Sequence, residues 1–238
     1  MAEQRKALVT GGTKGIGRAI AEKLRDDGAS VTVTGTKPDG QAPEGCGYLP
    51  IDFSDRAATL VFAEKVAAMD FDVLVNNAGT NKVGPIEDYA VEDFERIMQV
   101  NVTAPFITCK AVIPGMKKKG WGRIVNISSL WGLGAREHRQ AYSASKFAID
   151  GMTASIAAEV SQDGILANCV APGFIRTELS VTNLGEAGLA EMAKRIPARR
   201  CGGTEEVAGT VAFLASDQNT YIAGQNIPVD GGFSRSRG

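Results

Sequence analysis

Lys6-Ala-Leu-Val-Thr10-Gly-Gly-Thr-Lys14-Gly-Ile-Gly17-Arg-Ala-Ile20-Ala-Glu-Lys-Leu24 is the stretch from which the fold can be read. Ala7 to Thr10 are apolar or β-branched and predict a strand at 6–10. Gly11, Gly15 and Gly17 then form a turn, and Ile16, Ile20 and Leu24 recur at helical spacing up to Gly28. A strand that passes into a helix through a glycine turn opens a βαβ unit. Working outward, 30–34 alternates β-branched residues, and short apolar runs at 48–51, 72–76, 121–128, 165–171 and 226–229 predict further strands. Helical patterns separate them at 55–69, 91–118, 140–160 and 204–214, with Pro105 and Pro114 expected to bend or end the long one. The stretch 173–203 reads as a loop-rich insert. Strands alternating with helices predict one α/β domain over 1–238: a doubly wound parallel sheet of about seven strands, helices on both faces.

The composition, 44% hydrophobic and 22% charged, is that of a soluble globular chain. A net charge of −1 supplies no basic field, which argues against nucleic-acid and membrane partners. No run approaches 18 apolar residues and MAEQRKALVTGG has no signal-peptide core, so a cytoplasmic location is expected. Four scattered cysteines without a C-x-x-C pair, and one histidine, leave metal and disulfide readings without support.

The glycine turn carries the first chemistry. Gly11, Thr13, Lys14, Gly15, Ile16 and Gly17 form a candidate pyrophosphate cradle, since glycines admit close backbone approach and a helix N-terminus stabilises negative charge. The spacing is G-x-x-x-G-x-G, which differs from the common G-x-G-x-x-G. Folds that select NAD place an acid at the end of the second strand to accept the ribose 2′-hydroxyl. Here that end reads Thr34-Gly-Thr36-Lys37, and the first acid, Asp39, lies beyond Pro38. Lys14 and Lys37 are placed to meet a 2′-phosphate. The pattern favours NADP over NAD, although Thr36 suits either.

Tyr142 and Lys146 lie four apart, on one face of the helix predicted at 140–160. An ammonium beside a phenol makes the phenolate cheaper to form. Two charges about 4 Å apart at an effective dielectric of roughly 20 interact by about 4 kcal/mol. That is enough to draw a tyrosine from about 10 towards neutrality, before desolvation takes its share. Such a tyrosine can exchange a proton with the oxygen of an alcohol or ketone. A lone Y-x-x-x-K also describes an ordinary exposed helix pair; the glycine turn is what gives it meaning.

Together these residues resemble the short-chain dehydrogenase/reductase family over nearly the whole chain. Thr10 to Gly17 is similar to its T-G-x-x-x-G-x-G turn, and Asn76-Asn77-Ala78-Gly79 to its N-N-A-G segment. Asn101, Ser129, Tyr142 and Lys146 match its catalytic tetrad, Pro172-Gly173 its P-G turn, and Tyr221-Ile-Ala-Gly through Val229-Asp-Gly-Gly232 its C-terminal end. The chain most resembles the bacterial 3-oxoacyl-(acyl-carrier-protein) reductases. The resemblance implies a Rossmann fold, with Tyr142 as acid/base and Lys146 lowering its pKa while holding the nicotinamide ribose. It also implies that Ser129 polarises the substrate oxygen and that Asn101 steadies a water linking Lys146 to solvent. Asp52 is expected at the adenine, Asn77, Ala78 and Gly79 along the cofactor backbone, and Pro172, Gly173, Ile175 and Thr177 at the nicotinamide end. Relatives are usually tetramers packed through two long helices and the C-terminal strand, so a homotetramer is expected. Ala144, Ala148, Ala154 and Ala158 would permit close helix contact or serve an ordinary core.

The pocket, not the fold, names a substrate. The segment Gly134-Ala-Arg136-Glu137-His138-Arg139-Gln140 lies between Ser129 and Tyr142 and should line the mouth of the site. Its cations either form a solvated face or receive an anionic substrate group such as a carboxylate or phosphate. An acyl carrier protein thioester is one substrate class; a small carbonyl, sugar or hydroxy acid is the other. Asp163 follows the Tyr142 helix where carrier-protein reductases are expected to carry a cation, and the run Lys117-Lys118-Lys119 could compensate. The 173–203 insert, with Gly185, Gly188, Leu179, Val181, Leu184, Leu189 and Met192, is expected to act as a lid.

Two other classes fit less well. A non-catalytic NADP-binding sensor or structural subunit would be free to lose Tyr142, yet the set is intact. A hydrolase would need a G-x-S-x-G elbow and a histidine base, whereas Ser129 lacks the elbow and His138 lies in a loop.

Overall fold

β1 (Lys6–Val9) is an interior strand of the sheet, with Ala7 and Val9 packed on one face and Leu8 on the other. The structure is a computed structural model that describes residues 4–236; the first three and last two residues of the expected 1–238 span lie outside it. β2 (Ser30–Gly35) and β3 (Gly47–Pro50) extend the sheet on one side of β1. β4 (Val73–Asn76), β5 (Gly122–Ile127), β6 (Ile165–Pro172) and β7 (Asn226–Val229) extend it on the other. The order is β3-β2-β1-β4-β5-β6-β7, seven strands, each neighbouring pair parallel. The doubly wound expectation therefore holds. The direction of winding reverses between β1 and β4, which opens a crevice outside their carboxyl ends.

The helices are α1 (Gly15–Asp26), α2 (Arg56–Met69), α3 (Val91–Met98), α4 (Ala104–Lys119), α5 (Gln140–Val160), α6 (Glu178–Arg195) and α7 (Thr204–Leu214). Ile20 and Leu24 of α1 and Val207 and Val211 of α7 meet Val9, Val33, Val75 and Val125 on one face. Phe62, Val112, Met116, Ala157 and Val160, from α2, α4 and α5, meet Leu8, Leu74 and Ile124 on the other. Among the described residues no helix is long and apolar enough to cross a membrane. Burial pushes the Cys109 and Cys169 thiols up to about 12, which suits packing rather than reaction.

Two expectations need correction, and two alternatives left open by the sequence are narrowed. The helix read at 91–118 is divided: α3 stops at Met98, a single wide π-type turn covers Gln99–Thr103, and α4 starts at Ala104. Pro105 has no N–H to offer the Asn101 carbonyl, so the regular ladder is interrupted there, and such turns gather at functional sites. Pro114 sits inside α4 without ending it.

The insert at 173–203 is not loop-rich. It forms α6, broken at Gly185 (φ 65°, ψ 173°). Its start is set by a reciprocal cap, in which Ser180 N–H donates to Thr177 Oγ1 and Thr177 N–H donates to Ser180 Oγ. Arg176 holds both carboxylate oxygens of Glu186 across the break.

The lysine run does not offer free cations beside the site. Lys117 pairs with Asp163 at 3.0 Å, and Lys119 with Asp72 at 2.7 Å and Asp70 at 3.3 Å. Within the chain these pairs stand at the amino ends of β4 to β6, opposite the crevice. Finally, the small residues of α5 do not serve the core: Ala144, Ala154 and Ala158 are exposed and Ala148 is half-buried.

Candidate active site

The glycine turn crosses the carboxyl end of β1 and is built in two layers. Gly11 and Gly15 adopt φ of 64° and 56°, which favours glycine. Gly17 has an ordinary φ, yet a Cβ there would lie 2.3 Å from both Gly11 O and Asn77 Nδ2. The Asn77 amide donates to Thr10 O (3.0 Å) and Gly11 O (3.1 Å), while Thr10 Oγ1 accepts from the main-chain N–H groups of Asn77 (2.9 Å) and Ala78 (3.0 Å). The Asn77 side chain therefore supports the turn from beneath, joining the end of β4 to the end of β1. The sequence places Thr10 and Gly12 within the turn but assigns them no role of their own; a Cβ on Gly12 would lie 2.6 Å from Val33 Cγ1. Lys14 precedes α1 in an extended conformation and offers no side-chain cap, so the first N–H groups of the helix remain available to an anion.

At the end of β2, the methyl of Thr13 abuts Gly35, whose Cβ position is 3.0 Å away. Thr36, Lys37 and Asp39 are exposed, and Tyr48 Oη donates to Lys37 O, fastening this loop to β3. The carboxylate of Asp52 accepts from Ser54 N–H (2.9 Å) and Ser54 Oγ (2.7 Å), bonds that hold it below the usual carboxylate range.

The tetrad residues converge from the π-type turn, the end of β5 and α5. Lys146 is 5% exposed, and its Nζ lies 5.5 Å from the Tyr142 ring centroid. The expected proximity of ammonium and phenol ring is present, but the ammonium's hydrogen bond goes to Ile127 O, at 2.7 Å. Asn101 is buried; its Oδ1 accepts from Thr80 N–H (2.9 Å) and its Nδ2 donates to Thr80 O (2.9 Å) and Ser145 Oγ (3.0 Å). Ser145 Oγ in turn donates to Tyr142 O at 2.7 Å, so a residue missed in sequence ties Asn101 to the tyrosine's own helix turn. The available signal was a small polar residue one helical turn after Tyr142. Gly79 stands between the two sides, its Cβ position 3.4 Å from Asn101 Oδ1 and 3.9 Å from Lys146 Nζ. Ser129 Oγ accepts from Trp131 N–H at 3.2 Å, which leaves its own O–H to donate elsewhere.

A row of three aromatic rings starts two residues after Ser129. Trp131 meets Phe174 edge-on at 6.3 Å, and Phe174 meets Phe233 at 5.2 Å. None of the three was picked out from sequence, because they come from separate segments. Pro172 ends β6, and Gly173 is pinned by its N–H to Val229 O, with Asp230 Cα only 2.7 Å from its Cβ position. The Ile175 side chain is in the core, so only its main chain remains for a ligand. The Thr177 methyl lies 3.9 Å from the Cβ position of Gly15, which sets the base of α6 against the glycine turn. His138 has a φ of 61°, and its carbonyl accepts from Gly84 N–H at 3.2 Å; it serves the loop. Arg136 stands over Trp131 and Arg139 is half-buried just before α5.

A family model described as enoyl-(acyl carrier protein) reductase matches residues 11–234. The 3-oxoacyl-(acyl-carrier-protein) reductase of Vibrio cholerae serotype O1 is 38% identical over 239 residues, 97% of each chain. The chain belongs to the short-chain dehydrogenase/reductase family. Other short-chain dehydrogenase/reductases similar to it include the D-beta-hydroxybutyrate dehydrogenase of Rhizobium meliloti, 35% identical over 96% of this chain and 98% of the relative. The solved gluconate 5-dehydrogenase of Burkholderia cenocepacia J2315, in complex with NADP and tartrate, matches with a TM-score of 0.90 at 31% identity, over 98% and 96% of the two chains. Like its short-chain dehydrogenase/reductase relatives, the chain is an oxidoreductase of the CH–OH/C=O class. Their names span a 3-oxoacyl carrier protein, a hydroxybutyrate and a gluconate, so membership alone does not name the substrate.

Proposed function

We propose that this chain interconverts a ketone and a secondary alcohol with NADP(H), using Tyr142 as the acid/base. The reading rests on Asn101, Ser129, Tyr142 and Lys146 meeting beside a glycine turn whose close approach a single Cβ at Gly17 would block. Ser129 donates its O–H to the substrate oxygen, and Tyr142 Oη gives that oxygen a proton or takes one from it. Lys146 holds the ribose beside the Tyr142 ring, while Asn101 positions the water that carries protons outward. The bound nicotinamide supplies or accepts the hydride. Gly11, Thr13, Lys14, Gly15, Ile16 and Gly17 hold the pyrophosphate, helped by Asn77, Ala78 and Gly79. Asp52 meets the adenine, Pro172, Gly173, Ile175 and Thr177 close the nicotinamide end, and α6 is the lid.

The end of β2 supports NADP: it carries Thr36 and Lys37 and no carboxylate before Asp39. A 3-oxoacyl-(acyl-carrier-protein) substrate is supported by the 38% identity to the Vibrio enzyme. A small hydroxy or keto compound is favoured by the ion pairs that occupy Lys117 and Lys119. A screen of NADPH oxidation across acetoacetyl thioesters, neutral ketones, sugars and keto acids, each also run in reverse with NADP⁺, tests the reading. Turnover of at least one class is expected, with KM for NADPH several-fold below that for NADH. No turnover anywhere would overturn the reaction, and a lower KM for NADH would overturn the cofactor.

We also read the protein as a homotetramer. Phe106 and Phe147 are exposed on α4 and α5, and Ala144, Gly151, Ala154 and Ala158 make the outer face of α5 smooth enough for close helix contact. Ala154→Arg should then lower the mass measured by light scattering from tetramer to a smaller species. A wild-type monomer, or a variant still tetrameric, would refute this interface.

A further inference from the structure

The segment between Ser129 and Tyr142 leaves its positive charge uncompensated. Arg139 is half-buried at the start of α5, three residues before Tyr142, and the Arg136 guanidinium lies 5.8 Å from the centroid of Trp131. Among the described residues neither guanidinium makes a hydrogen bond or ion pair, even with the intervening Glu137. Arg176 and Arg200, by contrast, each grip both oxygens of a glutamate. Burial pushes the Arg139 guanidinium down, the like charge of Arg136 adds to this, and Tyr142 acts in the opposite direction. Two neighbouring cations without a counter-ion, one of them desolvated, are costly, and an anion placed between them recovers that cost. A planar guanidinium fork matches a carboxylate in two-pronged fashion.

Trp131 links this charge to the reacting centre. Its main-chain N–H donates to Ser129 Oγ while its ring neighbours both the Arg136 guanidinium and Phe174. A substrate whose oxygen meets Ser129 and Tyr142 can therefore extend along the Trp131 and Phe174 rings and end at the arginines.

We propose that Arg139 and Arg136 form a carboxylate receptor, so that short hydroxy and keto acids are the preferred substrates of this site. The inference rests on the oxidoreductase reading above and sharpens its substrate. In the oxidation, the hydroxyl-bearing carbon loses hydride to NADP⁺ and its O–H proton to Tyr142, while the carboxylate is unchanged.

The test compares kcat/KM for 3-hydroxybutyrate with its methyl ester, and for gluconate with its amide, using NADP⁺ and the full-length protein. The wild type is expected to favour the acids at least about tenfold, the value of one charge-assisted contact. Arg139→Gln should lower the acid-to-neutral ratio by about 10- to 100-fold, chiefly through KM, and Arg139→Lys should restore part of it. Arg136→Gln, at an exposed position, should lower the same ratio and serves if the Arg139 variant does not fold. Equal use of acid and neutral forms by the wild type, or an unchanged ratio in both glutamine variants, would overturn the receptor. So would a preference for phosphorylated over carboxylated substrates. Tyr142-dependent turnover of neutral ketones or thioesters without acid preference would sink the receptor alone, whereas no turnover of any class would sink the underlying reaction.

Discussion

Tyr142→Phe is expected to lower kcat by about 10²- to 10⁴-fold, the range supplied by a positioned proton donor, with little change in the dissociation constant for NADPH. The substitution keeps the ring, so the packing of α5 and the approach of Lys146 Nζ to the ring, 5.5 Å from its centroid, survive. The Lys146 bond to Ile127 O and the Ser145 bond to Tyr142 O involve no atom that is removed. The hydroxyl alone is lost, and with it the group that exchanges a proton with the substrate oxygen. Steady-state kinetics and a nucleotide-fluorescence titration on the same preparation separate the two effects. Retention of more than about a tenth of wild-type kcat would rule out Tyr142 as acid/base.

Gly17→Ala should be nearly as damaging, for a different reason. Its φ is ordinary, so backbone strain is not the cause. The added methyl would stand 2.3 Å from Gly11 O and from Asn77 Nδ2, the two groups that join the layers of the turn. Relief requires either the Asn77 amide or the turn itself to move, and both moves spoil the surface offered to a pyrophosphate. Overpacking of this sort costs about 1–3 kcal/mol, which corresponds to roughly 5- to 150-fold in NADPH affinity if it falls on the bound state. Calorimetric titration and a thermal melt would show weaker binding and a lowered Tm. Gly15→Ala is the comparison: its φ of 56° carries strain of about 1–2 kcal/mol, but its Cβ position meets nothing nearer than 3.9 Å. Wild-type affinity and Tm in the Gly17 variant would show that the turn is looser than its packing implies.

Much of this architecture is legible in local pattern. The limits of α5 and α7 and of β7 follow from periodicity and their bounding turns, because a helix or strand face is encoded over a few residues. Elements whose local signals conflict were less legible. Gly185 and Gly188 hide α6, which the Thr177 and Ser180 cap and the Arg176 pairing with Glu186 hold in place. Pro105 announced a disturbance near Asn101 but not its form, since widening, bending and ending a helix all answer a missing N–H. Lys117 to Lys119 form the cationic last turn of α4, closed by Gly120 as the sequence indicates, but a run of lysines says nothing of Asp70, Asp72 and Asp163, which approach from other segments.

The alternating α/β fold, the glycine turn and the spacing that sets Tyr142 and Lys146 on one helix face are all written in local sequence. Each of these depends on residues close together along the chain. Long-range contact is what makes Asn77 prop up the glycine turn and Ser145 couple Asn101 to Tyr142. The same holds for the Lys146 bond to Ile127 O, the row of Trp131, Phe174 and Phe233, and the lack of a counter-ion for Arg136 and Arg139 among the described residues. Those features arise where the carboxyl ends of β1, β4, β5 and β6 bring distant segments within hydrogen-bond and van der Waals range, a distance that no local periodicity encodes.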